Sequence, residues 1–179
     1  MLKVLVGYPT DREEMVIVQR MTGQLPTPRQ ILSTDDLVAL QKQADAGYVD
    51  PELMEYAVQL IAATRRPAEY GLGDIERYLT FGASPRASIN LILGARALAL
   101  TRGRDYAVGP DIVELAPDVM RHRLVLSYEA LADRVSADEI IRNIISVVKE
   151  PARPFTDYAH RAAAFSSAAS AAAAGDSDR

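Results

Sequence analysis

Apolar positions along this chain recur mostly at helical spacing. Only the first residues break the rule: Leu2, Val4 and Val6 alternate with Lys3 and Leu5 and stop at Gly7-Tyr8-Pro9, the pattern of one short strand. Such a strand needs a partner, so it either crosses to Leu124-Val125-Leu126 or belongs to a sheet the chain does not contain. Thr10 and Glu13 stand in capping-box spacing ahead of Met15, Val18 and Met21, which predicts a helix over 11–22 ending at Gly23. Leu25–Leu32, with Pro26 and Pro28, reads as extended loop. Ser33-Thr34-Asp35-Asp36 caps a helix carrying Leu37, Leu40 and Ala44 as far as Gly47. Asp50-Pro51 starts another, with Leu53, Ala57, Leu60, Ile61 and Thr64 on one stripe and Pro67 closing it. Residues 68–81 are irregular, with a short helical turn expected near 74–79.

Pro85 opens the most apolar helix, expected to run to Thr101 and to be the most buried, since Ile89, Leu91, Ile92, Leu93, Leu98 and Leu100 leave it nearly apolar all round. Gly103 and Gly109 bracket a tight connection. Pro110 begins a short helix that Pro117 is expected to interrupt, a second short helix following to His122. Leu124–Tyr128 reads as extended. Ser136 and Glu139 form a clean capping box for a helix carrying Ile140, Ile141, Ile144, Ile145 and Val148, which Pro151 stops. Beyond it, the Ala/Ser-rich run 162–174 has little apolar surface beyond methyl groups and is expected to be mostly disordered, or a frayed helix.

Composition narrows the chemistry. The 179 residues contain no cysteine, which removes disulfides, thiol catalysis and thiolate metal sites. Twenty basic against 24 acidic residues give a net charge of -4, and no helix has the basic polar face of a DNA recognition helix, so no nucleic-acid partner is expected. No run approaches a membrane span and the N-terminus lacks a signal-peptide profile, which predicts a cytoplasmic protein. His122 and His160 lack partners at ligand spacing, so no metal site is expected.

The stretch with the most chemical content is Gly82-Ala83-Ser84-Pro85-Arg86-Ala87. Ser84 suits the N-cap, Pro85 the first helical position, and Arg86 then falls in the first turn, where free amides and the helix dipole favour anions and a guanidinium fits phosphate oxygens. Asn90 lies four residues on, on the same face. The plainer alternative is a solvated arginine on an ordinary capped helix.

That stretch is followed in order by Gly103-Arg104-Asp105-Tyr106-Ala107-Val108, Pro110-Asp111-Ile112-Val113 and Arg121-His122-Arg123-Leu124. Together they resemble the C-terminal lid of the MoxR family of AAA+ ATPases. The resemblance implies an all-α helical bundle of the AAA+ lid type, with residues 1–9 the last strand of the ATPase core, 10–150 the lid and 151–179 a tail. It implies that Arg86 is the catalytic sensor 2 arginine reaching the γ-phosphate of ATP, bound as Mg-ATP by the parent ATPase, with Ser84, Pro85, Arg86 and Asn90 on the nucleotide side. The implied partners are the ATPase core and neighbouring subunits of a homo-oligomeric ring, and clients remodelled by a chaperone-like activity, von Willebrand factor A domain proteins among them. No Gly-x-x-x-x-Gly-Lys-Ser/Thr and no strand ending in Asp-Glu occurs, so the chain is expected not to hydrolyse ATP alone. The rival expectation is a non-enzymatic helical adaptor in which Arg86 serves a protein contact.

Overall fold

The computed structural model describes residues 1–25 and 27–176, with side-chain surroundings as far as Ala168; Pro26 in the expected loop and the last three residues of the tail lie outside the described residues. The elements are α1 (Asp11–Thr22), α2 (Thr34–Ala46), α3 (Pro51–Arg65), α4 (Gly73–Glu76), β1 (Leu79–Phe81), α5 (Pro85–Thr101), α6 (Gly109–Met120), β2 (Val125–Leu126), α7 (Tyr128–Ala132), α8 (Ala137–Val147) and α9 (Phe155–Asp176). Two 3-10 turns, Pro67–Tyr70 and Arg121–Arg123, complete the path. The protein is all-α apart from one small antiparallel sheet.

Helix boundaries follow local chemistry. Thr10, Ser33 and Ser136 each accept the amide three residues on while Glu13, Asp36 and Glu139 bond back, the reciprocal capping expected from their spacing. These cap bonds hold the three carboxyls below their ordinary range. The core joins one face each of α3, α5, α6 and α8: Leu53, Leu60, Ile61, Leu91, Ile112, Val119, Met120, Ile140 and Ile144 are fully buried together. Gly94 lets α5 approach α6 closely, since a Cβ there would stand 3.0 Å from Leu115 Cδ1.

Several expectations change. Leu2–Val6 is exposed and forms no strand, because Val125–Leu126 pairs with Leu79–Phe81 instead. The expected turn at 74–79 is thus divided between α4 and β1. Pro117 does not interrupt α6, which runs through it to Met120. The proline forfeits one backbone bond, while Ile112, Ala116, Val119 and Met120 keep the buried stripe continuous across it. Helix α5 is central but two-faced: Ile89 and Leu93 are exposed, and with Met54, Val58 and Ile92 they line a shallow apolar depression.

The tail, expected to be mostly disordered or a frayed helix, is helical as α9, and its first half is docked. Tyr158 and Ala162 are buried, and the Phe165 ring lies 5.3 Å from that of Tyr48. Arg153 bonds Glu52, and Arg161 Nη1 lies 2.7 Å from Asp50 Oδ2. Spacing of four and three residues puts Tyr158, Ala162 and Phe165 on one stripe, and the acidic start of α3 supplies both arginine partners.

Two buried carboxylates join the loops. Asp50 caps α3 by accepting the Glu52 amide at 3.0 Å, besides its pairing with Arg161. Asp111, fully buried, accepts Arg102 at 2.8 Å, Arg104 at 3.0 and 2.8 Å, and the Val108 amide at 3.0 Å. Removing Asp111 would leave Arg104 without a carboxylate partner, Arg102 with Glu114 alone, and the buried Val108 amide unpaired. Asp111→Ala is therefore expected to cost about 3 kcal/mol, the low end for a broken buried pair, measured by urea unfolding. Burial, with the Glu150 carboxylate nearby, pushes the Tyr56 hydroxyl from 10.0 up to about 12. A raised folded value makes this contribution complete below the unfolded value and lost above it. Stability should therefore fall as pH rises from about 10 to 12, and Tyr56→Phe should flatten that limb in a pH series of thermal melts.

Candidate functional site

The start of α5 is set by a fastening to the end of α3. Thr64, buried in the apolar stripe, donates its hydroxyl to the Ile61 carbonyl at 2.7 Å and accepts the Ala83 amide at 2.8 Å. Arg65 Nη1 donates to the Ala83 carbonyl at 3.0 Å. Both backbone groups of one residue are thus held from one helix end. Gly82 precedes them in a space no side chain fits, because a Cβ there would meet the Thr64 carbonyl oxygen at 2.4 Å. The chain then has one path into α5.

Ser84 has the extended backbone of an N-cap, yet its hydroxyl makes no cap bond, unlike Thr10, Ser33 and Ser136. Pro85 follows at the first helical position. Arg86, exposed in the first turn, makes no hydrogen bond or ion pair among the described residues. Its neighbours in charge are committed: Arg65 is bonded to Ala83, and Arg66 pairs with Glu69 at 3.0 Å. Asn90 is buried one turn further, at 9% exposure, and makes no hydrogen bond among the described residues. Arg86 and Asn90 thus lie on one face at different depths. Beside the fastening, a cleft of about 240 Å³ is lined by Thr64, Arg65, Glu76, Thr80 and Gly82.

This arrangement is an exposed cation with no protein anion, at the positive end of a 17-residue helix. It can bind anionic oxygen through charge and a planar donor fork. The sequence pointed to Ser84, Pro85, Arg86 and Asn90 but gave no reason to include Thr64 and Arg65. Their signal was present: Thr64 is the polar member of an otherwise apolar stripe, and a buried hydroxyl needs a partner.

The AAA lid domain family matches residues 73–144. Chaperone MoxR1 of Mycobacterium tuberculosis is 46% identical over 151 residues, covering 84% of this chain and 40% of that protein. The uncharacterised protein YeaC of Bacillus subtilis is 33% identical over 153 residues, 84% of this chain and 45% of YeaC. The crystal structure of a provisionally named ATPase from Cytophaga hutchinsonii superposes with a TM-score of 0.80 at 34% identity, over 84% of this chain and 46% of that one. The chain carries an AAA lid domain, the lid portion of a MoxR-type AAA+ ATPase.

The lid spans less than half the length of these relatives. Its described helices include none long and apolar enough to cross a membrane. The family match begins at α4 and ends in α8, so it takes in β1, the fastened start of α5 and the Asp111 cluster. If the fastening sets the course of α5, Thr64→Val leaves the buried Ala83 amide unpaired. It should destabilise the chain by about 1–3 kcal/mol in urea unfolding, with Arg65→Ala, whose bond is open to water, costing less.

Proposed function

We propose that this lid closes over ATP held by the core of its parent ATPase and that Arg86 is the sensor 2 residue, reaching the γ-phosphate. The observation that carries the reading is the uncommitted guanidinium of Arg86 at the first turn of α5, on a chain path clamped by Thr64 and Arg65. A residue that must meet a ligand held elsewhere gains from having no protein partner to give up. A rigid mount also limits the orientational freedom lost when it docks. Ser84 and Pro85 shape that mount, and Asn90 sits behind it on the same face. The nucleotide would be Mg-ATP, gripped by a phosphate loop and acidic residues of the core.

In this reading hydrolysis releases the lid's hold on the terminal phosphate, and the lid's movement is passed to neighbouring subunits of a homo-oligomeric ring that remodels partner proteins. Support for that wider part comes from kinship with a protein named as a chaperone. The same reading makes the protein cytoplasmic, where ATP and such clients meet. It also takes residues 1–9 as the last core strand, which accounts for an exposed Leu2–Val6 with strand-like alternation and no ladder of its own.

In the full-length ATPase carrying this lid, Arg86→Ala should lower ATP turnover at least about tenfold, since a charged contact to developing phosphoryl charge is worth about 1.5–3 kcal/mol. Turnover measured with saturating Mg-ATP tests this. An unchanged rate would reject the sensor role and favour a helical adaptor in which Arg86 meets a protein.

A further inference from the structure

Residues 1–3 lie against the corner where α6 passes through the turn Arg121–Arg123. The Lys3 amide donates to the Asp118 carbonyl at 2.8 Å, and Arg121 Nη1 donates to the Lys3 carbonyl at 2.8 Å. The same guanidinium bonds the Asp118 carboxylate and, through Nε, Asp138 Oδ1 at 3.0 Å. Arg123 Nη2 reaches the Met1 carbonyl at 3.4 Å while its Nε holds the Val119 carbonyl at 2.9 Å. Among the described residues no other hydrogen bond ties residues 1–9 to the lid. The side chains of Leu2 and of Val4 to Tyr8 are exposed, so packing adds little to the attachment.

One side chain, 14% exposed, therefore joins three pieces: the extended N-terminal segment, the end of α6 and the first turn of α8. Two carboxylates already neutralise Arg121, so its charge does not need the Lys3 carbonyl. The bond to Lys3 instead uses the guanidinium's geometry: its donors are spread over three nitrogens in a plane and face two carboxylates and a carbonyl on separate elements, whereas the three donors of an ammonium share one nitrogen. The grip is also on main chain, so it holds the segment whatever side chains the segment turns toward another partner.

We propose that Arg121 is a positioning residue for ATP turnover: a latch that fixes the lid to the main chain of the segment leading into it, so that force at Arg86 is passed to the core. This rests on the reading that residues 1–9 are the core's last strand and that Arg86 meets phosphate. The latch acts through Lys3 and touches no nucleotide. Arg123 supports it at Met1, two residues before Lys3.

The test uses the full-length ATPase carrying this lid, with Arg121→Ala, Arg121→Lys and Arg86→Ala compared for kcat, KM for ATP, melting temperature and amide hydrogen exchange at Lys3. In Arg121→Ala, exchange at Lys3 should rise about tenfold as local opening becomes easier. Its kcat should fall about tenfold through misplacement, with KM held within about twofold. Arg121→Lys keeps the charge facing Asp118 and Asp138, so it should melt near the parent temperature yet still show the low kcat and fast exchange. It carries the test if the alanine variant fails to fold. A lowered melting temperature with parental kcat would make Arg121 merely structural and overturn the latch, as would unchanged exchange at Lys3. If Arg86→Ala is silent while Arg121→Lys still lowers kcat and frees Lys3, the sensor reading falls and with it the route of force from Arg86, while the coupling of the Lys3 segment to turnover stands. If Arg86→Ala alone lowers turnover, the latch falls and the sensor reading stands.

Discussion

The hydrogen bond from the Ala83 amide to the Thr64 hydroxyl sets the geometry on which the rest of the lid depends. It lies at the one place where the chain, after the irregular stretch from Pro67 to Phe81, must re-enter the bundle in a single direction. The hydroxyl is satisfied on both sides, giving to Ile61 and taking from Ala83, so it is buried without an unmet polar group. Gly82 lets the loop lie this close to α3, since a Cβ there would meet the Thr64 carbonyl oxygen. From that point α5 runs through the middle of the fold, against α3, α2 and α6. A tilt at its first residue would be felt along all of these.

Charge does the comparable work at the other end. Asp111 draws Arg102 from the end of α5 and Arg104 from the connection onto the first turn of α6. Asp50 does the same for α3 and the docked half of α9. In each case a buried carboxylate caps a helix start and meets arginine side chains, two for Asp111 and one for Asp50, whose outer parts remain wet. Full burial of both charges would cost more than the pairing returns; here only the anion is dry, and each has more than one donor. The helices supply the apolar core, while these two acids decide how their ends are joined.

What could be read from sequence was the part with local causes. The boundaries of α1, α2, α3, α5 and α8 follow from Thr10, Ser33, Asp50, Pro85 and Ser136, whose chemistry acts within one turn. The misreadings share a non-local cause. Whether Leu124–Leu126 pairs with Leu2–Val6 or with Leu79–Phe81 depends on which edge the fold brings near, and periodicity carries no such information. Pro117 looked like a break because its cost is local and the burial that outweighs it is not. The tail looked disordered because its alanines dominate the composition, although Tyr158, Ala162 and Phe165 are the residues that dock. At the candidate site, Arg86 was legible as a residue type at a helix start, whereas its mount on Thr64 and Arg65 lies in another helix.

The two arginines given roles here are mechanically related through the α5–α6 pair. Arg86 stands at the start of α5 and Arg121 just past the end of α6, and the helices between them are joined by close approach at Gly94 and by the Asp111 cluster. Packed helices of this kind move together, because sliding one past the other would open voids along the whole contact. On the roles proposed for them, a pull on Arg86 would be passed through this pair to the corner at Arg121. Helix α1 differs: it buries no residue among those described, and Lys3 is followed by seven residues with no bond to the bundle before it begins. A segment bonded to the bundle only at Met1 and Lys3 is where relative motion can occur, and Arg121 holds the shorter of the side-chain contacts there.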